Sequence, residues 1–253
     1  MSKNCAWYLN FTPAICRLRS SLYKLRAKCH RFGLLSLAAL LCCYGSAAIA
    51  GVETTRLITK SSPALVTIEA KKNLFFATSS NPNAQGTGFY ISPNQLLTAW
   101  HVVQGAKKVT VTNSVGQESS AEVMETWPDH DLALIQVDEP GSVSWLSLSA
   151  RQPVEGETVL AMGYPFGFNL FSSEGIVSSR VSNPKGESID LFSTDAVVNP
   201  GMSGGPLIGS DGQVLGLLSW IYSSTGSFAG MTFAYPAFLI KDLTRRVGQG
   251  NGN

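Results

Sequence analysis

Three short stretches of this 253-residue chain hold residue types that can do chemistry together. The first is Leu97-Thr-Ala-Trp-His-Val-Val103, where His101 follows a run that reads as a strand. Histidine is the usual proton acceptor for a hydroxyl nucleophile, because its ordinary pKa lies near neutral pH. The second is Asp129-His-Asp-Leu-Ala-Leu-Ile135, where Asp131 leads directly into an apolar run. A carboxylate there is expected to be partly buried, and a buried carboxylate needs a partner such as a histidine N–H. The third is Asn199-Pro-Gly-Met-Ser-Gly-Gly-Pro206. Its glycines and prolines predict a tight loop whose consecutive backbone N–H groups suit a developing oxyanion. Ser203 within it is a poor nucleophile unless a base takes its proton. Singly, a histidine beside a strand, a strand-start aspartate and a Gly/Pro turn each have an ordinary structural reading. Together, in the order His, Asp, Ser, they carry far more weight than any one alone.

The elements around them read as short strands broken by turn signals. Apolar or alternating runs fall at 64–70, 86–91, 95–99, 109–112, 120–126, 132–137, 158–162, 175–181, 191–194 and 232–235. Residues 207–218 read as a hairpin turning at Asp211-Gly212. Residues 236–247 carry Phe238, Leu239, Leu243 and Val247 at helical spacing, with Pro236 at the start and Gly248 after the end. About a dozen strands, no fixed-period repeat and one terminal helix suggest barrels or a sandwich. The Gly-Asn tail 248–253 is expected to be disordered.

The motifs Thr98-Ala-Trp-His101, His130-Asp-Leu-Ala-Leu134 and Asn199-Pro-Gly-Met-Ser-Gly-Gly-Pro206 resemble trypsin-like serine proteases of the HtrA/Deg type. Gly86-Thr-Gly-Phe89, Gly163-Tyr-Pro-Phe-Gly167, Ser173-Glu-Gly-Ile-Val-Ser178 and Thr194-Asp-Ala196 fit the same group, and the resemblance covers about residues 55–240. It implies an all-β fold of two six-stranded antiparallel barrels with a short C-terminal helix, His101 and Asp131 from the first barrel and Ser203 from the second. It implies a serine endopeptidase acting on unfolded or misfolded proteins. His101 would be the general base and Asp131 its orienting partner, with Ser203 the nucleophile that forms an acyl-enzyme. The oxyanion hole would lie at Gly201, Met202 and Ser203, with the N–H groups of Gly201 and Ser203 as donors.

The sequence departs from the family's usual pattern at two places beside the chemistry. Met202 stands where the family usually has Asn, and Trp100 where it often has Ala or Asn. A catalytically impaired protein that binds peptides in a chaperone-like role is therefore the alternative, and an inert domain on a membrane tether is a third reading. Alignment on Ser203 puts Val197 where trypsin-like enzymes carry an acid for Lys or Arg, which predicts an apolar P1 preference. Val198, Asn199, Leu218, Ser219 and Trp220 would join it around the S1 pocket, with further walls from 228–230. Val197 as plain core is the competing reading. Asp195 is expected to organise the loop by hydrogen bonds, and His130 to sit at the surface, pointing away from its neighbour along an extended strand. No His/Asp/Glu cluster has metal-ligand spacing and no phosphate loop stands in strand–helix context, so no cofactor is expected.

Charge divides the chain. Residues 1–52 hold seven Lys/Arg and no acid, whereas the rest holds twelve basic and seventeen acidic residues, a balance of −5. The basic character belongs to the leader, so a nucleic-acid partner is not expected for the main domain. The run 32–50 is apolar and ends in Ala48-Ile-Ala50, the shape of a secretory signal, with a retained membrane anchor as the alternative. Either way the domain after residue 50 is expected outside the cytoplasm, periplasmic or secreted. All five cysteines lie in this leader, so the exported part has no disulfide. The expected organisation is a leader at 1–50, one protease domain at 51–247 (barrels at about 51–150 and 151–236 plus the helix) and the tail. Most family members add C-terminal peptide-binding PDZ domains, and no such domain is read in this sequence. Protein or peptide substrates are the expected partners, with a trimer formed through N-terminal segments as a further expectation from the family.

A hydrophobic share of 44% excludes wholesale disorder, and the absence of a Gly-X-Y period or heptads excludes collagen-like and coiled-coil architectures.

Overall fold

The computed structural model describes residues 53–72, 83–138, 140–141, 144–182, 190–221 and 230–250. The leader, the loop walls at 228–229 and the end of the tail lie outside the described residues. From Thr54 onward the chain forms one compact unit. It opens with a helix, α1 (53–61), whose Leu57 and Ile58 pack against the larger of the two buried hydrophobic clusters. The sequence pattern did not predict this helix, since two adjacent apolar residues give no full helical period.

Six strands close the first barrel: β1 (Leu65–Lys72), β2 (Asn83–Tyr90), β3 (Gln95–Ala99), β4 (Ala106–Asn113), β5 (Glu118–Trp127) and β6 (Leu132–Val137), in the order β1-β2-β3-β6-β5-β4. Six more close the second: β7 (Thr158–Gly163), β8 (Phe171–Ser182), β9 (Asp190–Thr194), β10 (Pro206–Gly209), β11 (Val214–Ile221) and β12 (Thr232–Pro236), in the order β10-β11-β12-β9-β8-β7. The expected two-barrel fold is thus the observed one, and the hairpin at Asp211-Gly212 joins β10 to β11. Closure removes the free strand edges that an open sheet of this size would expose.

Each barrel carries its own buried side chains. Val66, Ile68, Phe89, Leu96, Leu97 and Leu134, on both faces of the first barrel's sheet, are buried. Val159, Val177, Phe192, Met202, Leu207 and Leu215 are buried together in the second. Burial of one such side chain contributes roughly 1.5–3 kcal/mol. The segment between the barrels is stitched to both, with Leu146 N–H on the Tyr90 carbonyl (2.8 Å) and Ser149 N–H on the Val214 carbonyl (2.9 Å).

A one-turn helix, α2 (Trp100–Val103), interrupts the strands between β3 and β4, and α3 (Ala237–Gly250) closes the chain. Two expectations need correction. The terminal helix does not stop before Gly248 but runs to Gly250, so the tail is not wholly irregular. Glycine in a last turn costs only about 1 kcal/mol and no proline follows to break the helix. Strand β8 begins four residues earlier than the apolar run suggested, because Phe171 pairs with Gly163 before the apolar run begins.

Candidate active site

His101 lies on α2, immediately after β3, and Asp131 lies immediately before β6. Strands β3 and β6 are hydrogen-bonded neighbours, with Ala99 opposite Leu132, so the strand ends bring the two residues together. The imidazole Nδ1 is 2.7 Å from Asp131 Oδ2, and the His101 backbone N–H donates to Oδ1 at 2.9 Å. The Ser219 hydroxyl donates to Oδ2 at 2.7 Å, and Trp100 N–H donates to the Asp131 carbonyl at 3.0 Å. Asp131 itself adopts φ 48°, ψ 44°. That left-handed conformation is tolerated by Asp better than by most residues. The carboxylate is partly buried at 24% side-chain exposure, while the imidazole is open at 47%. Such a carboxylate fixes the proton on Nδ1 and leaves Nε2 as the acceptor. None of these bonds involves the Ser203 hydroxyl.

Ser203 sits between β9 and β10, and its loop is held by main-chain bonds. Its carbonyl accepts Thr87 N–H at 2.9 Å, Gly204 N–H donates to Leu218 O at 2.6 Å, and Gly205 N–H to Met202 O at 2.9 Å. The Thr87 hydroxyl donates to Gly201 O (2.8 Å) and accepts Tyr164 N–H (2.9 Å), so one side chain of β2 clasps two loops of the second barrel. Glycine is needed here for room. A Cβ on Gly86 would fall 2.6 Å from a Val102 methyl and 3.2 Å from Ser203 O, so Gly86 lies between the residue after His101 and the Ser203 main chain. A Cβ on Gly204 (φ 85°) would overlap Thr87 O and the Thr98 hydroxyl and come within 2.6 Å of Ala99 N.

Gly201 and Met202, two of the residues expected at the oxyanion hole, differ in where their N–H groups go. Pro200 C=O accepts Phe166 N–H at 2.8 Å. In a trans peptide the N–H points opposite its C=O, so Gly201 N–H is turned away from the 164–166 loop. Met202 N–H is spent on Asn199 O at 3.0 Å, and its side chain is fully buried in the second-barrel core. Met202 therefore contributes packing and not a donor. The bulky Trp100, the first residue of α2, is accommodated partly buried.

The residues expected around S1 divide. Val197 is 39% exposed and donates its N–H to the Ser173 hydroxyl (2.9 Å), while Val198 and Leu218 are buried with Ala196 and Met202. Asn199 is partly buried at the turn before Pro200. Ser219 turns its hydroxyl to Asp131, and Trp220 continues β11, its side chain outside the described residues. Asp195 accepts Ile176 N–H at 2.7 Å, organising the start of the loop as expected.

His130 is partly buried and does not simply face solvent as expected. Its ring stacks on Tyr235 with centroids 4.8 Å apart, and its Nδ1 is buried without a partner. It does not lie on an extended strand, because His130 ends a 3₁₀ turn, Pro128–His130, and Asp131 bends the chain before β6 starts. Burial pushes the His130 pKa down, and neighbouring Asp129 partly offsets this.

Sequence reasoning missed Thr87 and the role of the Ser219 hydroxyl. A threonine between two glycines and a lone serine in the apolar run Leu217–Ile221 were the available signals. Among the described residues no group of three His, Cys, Asp or Glu is placed to hold a metal, and no helix is long and apolar enough to cross a membrane.

Comparison with known proteins agrees with this layout. The trypsin-like peptidase domain family matches residues 86–217, just over half of the chain. A probable periplasmic serine endoprotease, DegP-like, from Pseudomonas fulva is 38% identical over 165 residues, covering 64% of this chain and 34% of that protein. A protein of the same description from Chlamydia pneumoniae is 36% identical over 177 residues, covering 67% of this chain and 36% of its own length. The chain thus spans about a third of the length of these curated relatives. Among solved structures, the HtrA-type protease AlgW with a tripeptide superposes with a TM-score of 0.69 at 28% identity, covering 76% of this chain and 62% of that one. AlgW with a decapeptide gives a TM-score of 0.67 at 26% identity. The chain belongs to the trypsin-like peptidase family, as a protease domain of the HtrA/Deg type.

Proposed function

We propose that this chain is an exported serine endopeptidase that cleaves unfolded polypeptides through His101, Asp131 and Ser203. The observation that carries the reading is the Asp131 carboxylate, which takes three hydrogen bonds and fixes His101 by both its backbone and its ring. With Nδ1 bound to Asp131, the free Nε2 accepts the Ser203 hydroxyl proton as Oγ attacks the scissile carbonyl. The N–H groups of Gly201 and Ser203 stabilise the oxyanion, the imidazolium returns its proton to the leaving amine, and water then releases the acyl group by the same route. Each oxyanion donor of this kind is worth on the order of 10²–10³ in rate.

Protein substrates fit the peptides named with the AlgW structures. The periplasmic description of the relatives and the basic, apolar leader favour export. The apolar Val197 favours small or medium apolar residues at P1. The test compares the parent with Ser203→Ala on casein, with cut sites read by mass spectrometry. We expect cleavage by the parent, mostly after aliphatic residues, and a loss on the order of 10⁴–10⁶ in the variant. Equal cleavage by both would overturn the assignment of the nucleophile, and preferential cleavage after Lys or Arg would overturn the pocket.

A further inference from the structure

Lys72 ends β1 at the mouth of the first barrel. Its ammonium donates to the His101 carbonyl at 2.6 Å. The backbone is shaped for this contact. Pairing of β1 with β4 steps from Lys71↔Lys108 to Lys72↔Ala106, so Lys107 is left over as a bulge. Bulges re-aim side chains and recur beside active sites. Lys71 and Lys108 stand exposed opposite each other, whereas Lys72 is partly buried against α2. Burial pushes its pKa down, so its charge is held there at a cost.

Helix α2 gives this contact its purpose. It is a single turn with no side-chain N-cap, and a helix that short has no stability of its own. Its last carbonyls have no partner within the helix. His101 N–H and Nδ1 are tied to Asp131 on one side, and the carbonyl is tied to Lys72 on the other. The buried Val102 and Val103 seat the turn in the core, and the Lys72 tie on the His101 carbonyl opposes rotation of that peptide, which would swing Nε2 away from Ser203.

We propose that Lys72 is a positioning residue for the candidate base, its ammonium anchoring the His101 carbonyl so that the imidazole keeps its seat on Asp131. The proposal rests on the protease reading above. Its test uses the full chain with two variants, Lys72→Met, which keeps the stem and loses the donor, and Lys72→Arg, which keeps a charged donor. One readout is acylation by a fluorophosphonate probe of serine hydrolases, with the maximal rate separated from the probe's apparent affinity. The other is the low-field proton resonance of the Nδ1–H···Asp131 bond, which does not depend on turnover. The expectation is a maximal rate about tenfold lower for Lys72→Met, with probe affinity and melting temperature near the parent's. The resonance should broaden in that variant, and Lys72→Arg should restore both signals. A parent-like rate and resonance in Lys72→Met would overturn the proposal. So would an equal loss in both variants, which would reduce Lys72 to a packing role. If Lys72→Met does not fold, Lys72→Gln takes its place, and the same two outcomes support or overturn the proposal. A parent that never reacts with the probe counts against the protease reading instead, and the resonance still decides the role of Lys72.

Discussion

In the first barrel, His101 and Asp131 are fastened by side-chain hydrogen bonds: the imidazole, the Ser219 hydroxyl and a backbone N–H all meet one carboxylate, and Lys72 holds the far side of the turn. In the second barrel, Ser203 is fastened by main-chain bonds around glycines that leave no room for a Cβ. In the proposed mechanism the proton-transfer half must hold an orientation, because a wrong tautomer or a rotated ring is inert. In the same mechanism the half that carries Ser203 must hold a backbone path, because the N–H groups of Gly201 and Ser203 are the proposed oxyanion donors. Polar substitutions should therefore injure the first half through rate, and steric ones the second through folding.

Asp131→Asn tests that division most sharply. Asn accepts the left-handed φ of 48° as readily as Asp, so the fold should hold. Its amide has a single acceptor oxygen and an NH2 donor in place of the other, so the preferred tautomer of His101 is lost and kcat/KM should fall about 10⁴-fold with the melting temperature nearly unchanged. A large drop in melting temperature would mean the first barrel relies on this carboxylate for folding, and the contrast between the halves would blur. Gly204→Ala is the matching insult to the second half. It forces a β-carbon into Thr87, Thr98 and Ala99 at a φ of 85°. Denaturant unfolding should register a loss of more than about 3 kcal/mol, with activity lost along with the folded state. A folded, stable variant that had merely slowed would show that the loop has slack.

The same division explains what was legible in the sequence. Strands such as β3 and β6, buried at nearly every residue, are readable almost to the residue, since a short apolar run bounded by turn signals marks a strand covered on both faces. Their ends position His101 and Asp131, so that pair was readable as well. Helix α1 was not, because only Leu57 and Ile58 mark its buried side. The clasp made by Thr87 was invisible because it spans 114 residues to Gly201, and a threonine between glycines has many uses. His130 was misjudged for a local reason: one left-handed residue after it cancels the alternation that an extended strand would impose.

Ser219→Ala should have a smaller effect than either change above. It removes one of the hydrogen bonds to the Asp131 carboxylate and leaves both bonds to His101 in place. A hydrogen bond to a charged group contributes about 1.5–3 kcal/mol, part of which water recovers at a carboxylate this exposed, so kcat should fall about tenfold with KM little changed. Ser219→Thr keeps the hydroxyl and should stay near the parent. A KM effect without a kcat effect would instead make Ser219 a wall of the S1 pocket.

The smallest effect sits where the two barrels meet. His130, beside Asp131, stacks on Tyr235 of β12, and burial holds its pKa below the ordinary 6.5. As pH falls, the unfolded chain takes up this proton before the folded one does. The stabilising contribution of neutral His130 is therefore complete above about pH 6.5 and shrinks as pH drops toward and through the folded value. Asp129 works against the shift, which keeps the effect modest. His130→Phe retains an aromatic ring on Tyr235 and cannot titrate. Melting temperatures measured at about pH 7.5 and 5.5 should fall further in the parent than in His130→Phe. Parallel falls would place the acid sensitivity elsewhere and leave the stack as packing alone. A steeper fall in the variant would mean that protonated His130 is stabilised in the folded state, with Asp129 and not burial dominating. The seam between the orienting half and the nucleophile half would then tighten in acid instead of loosening.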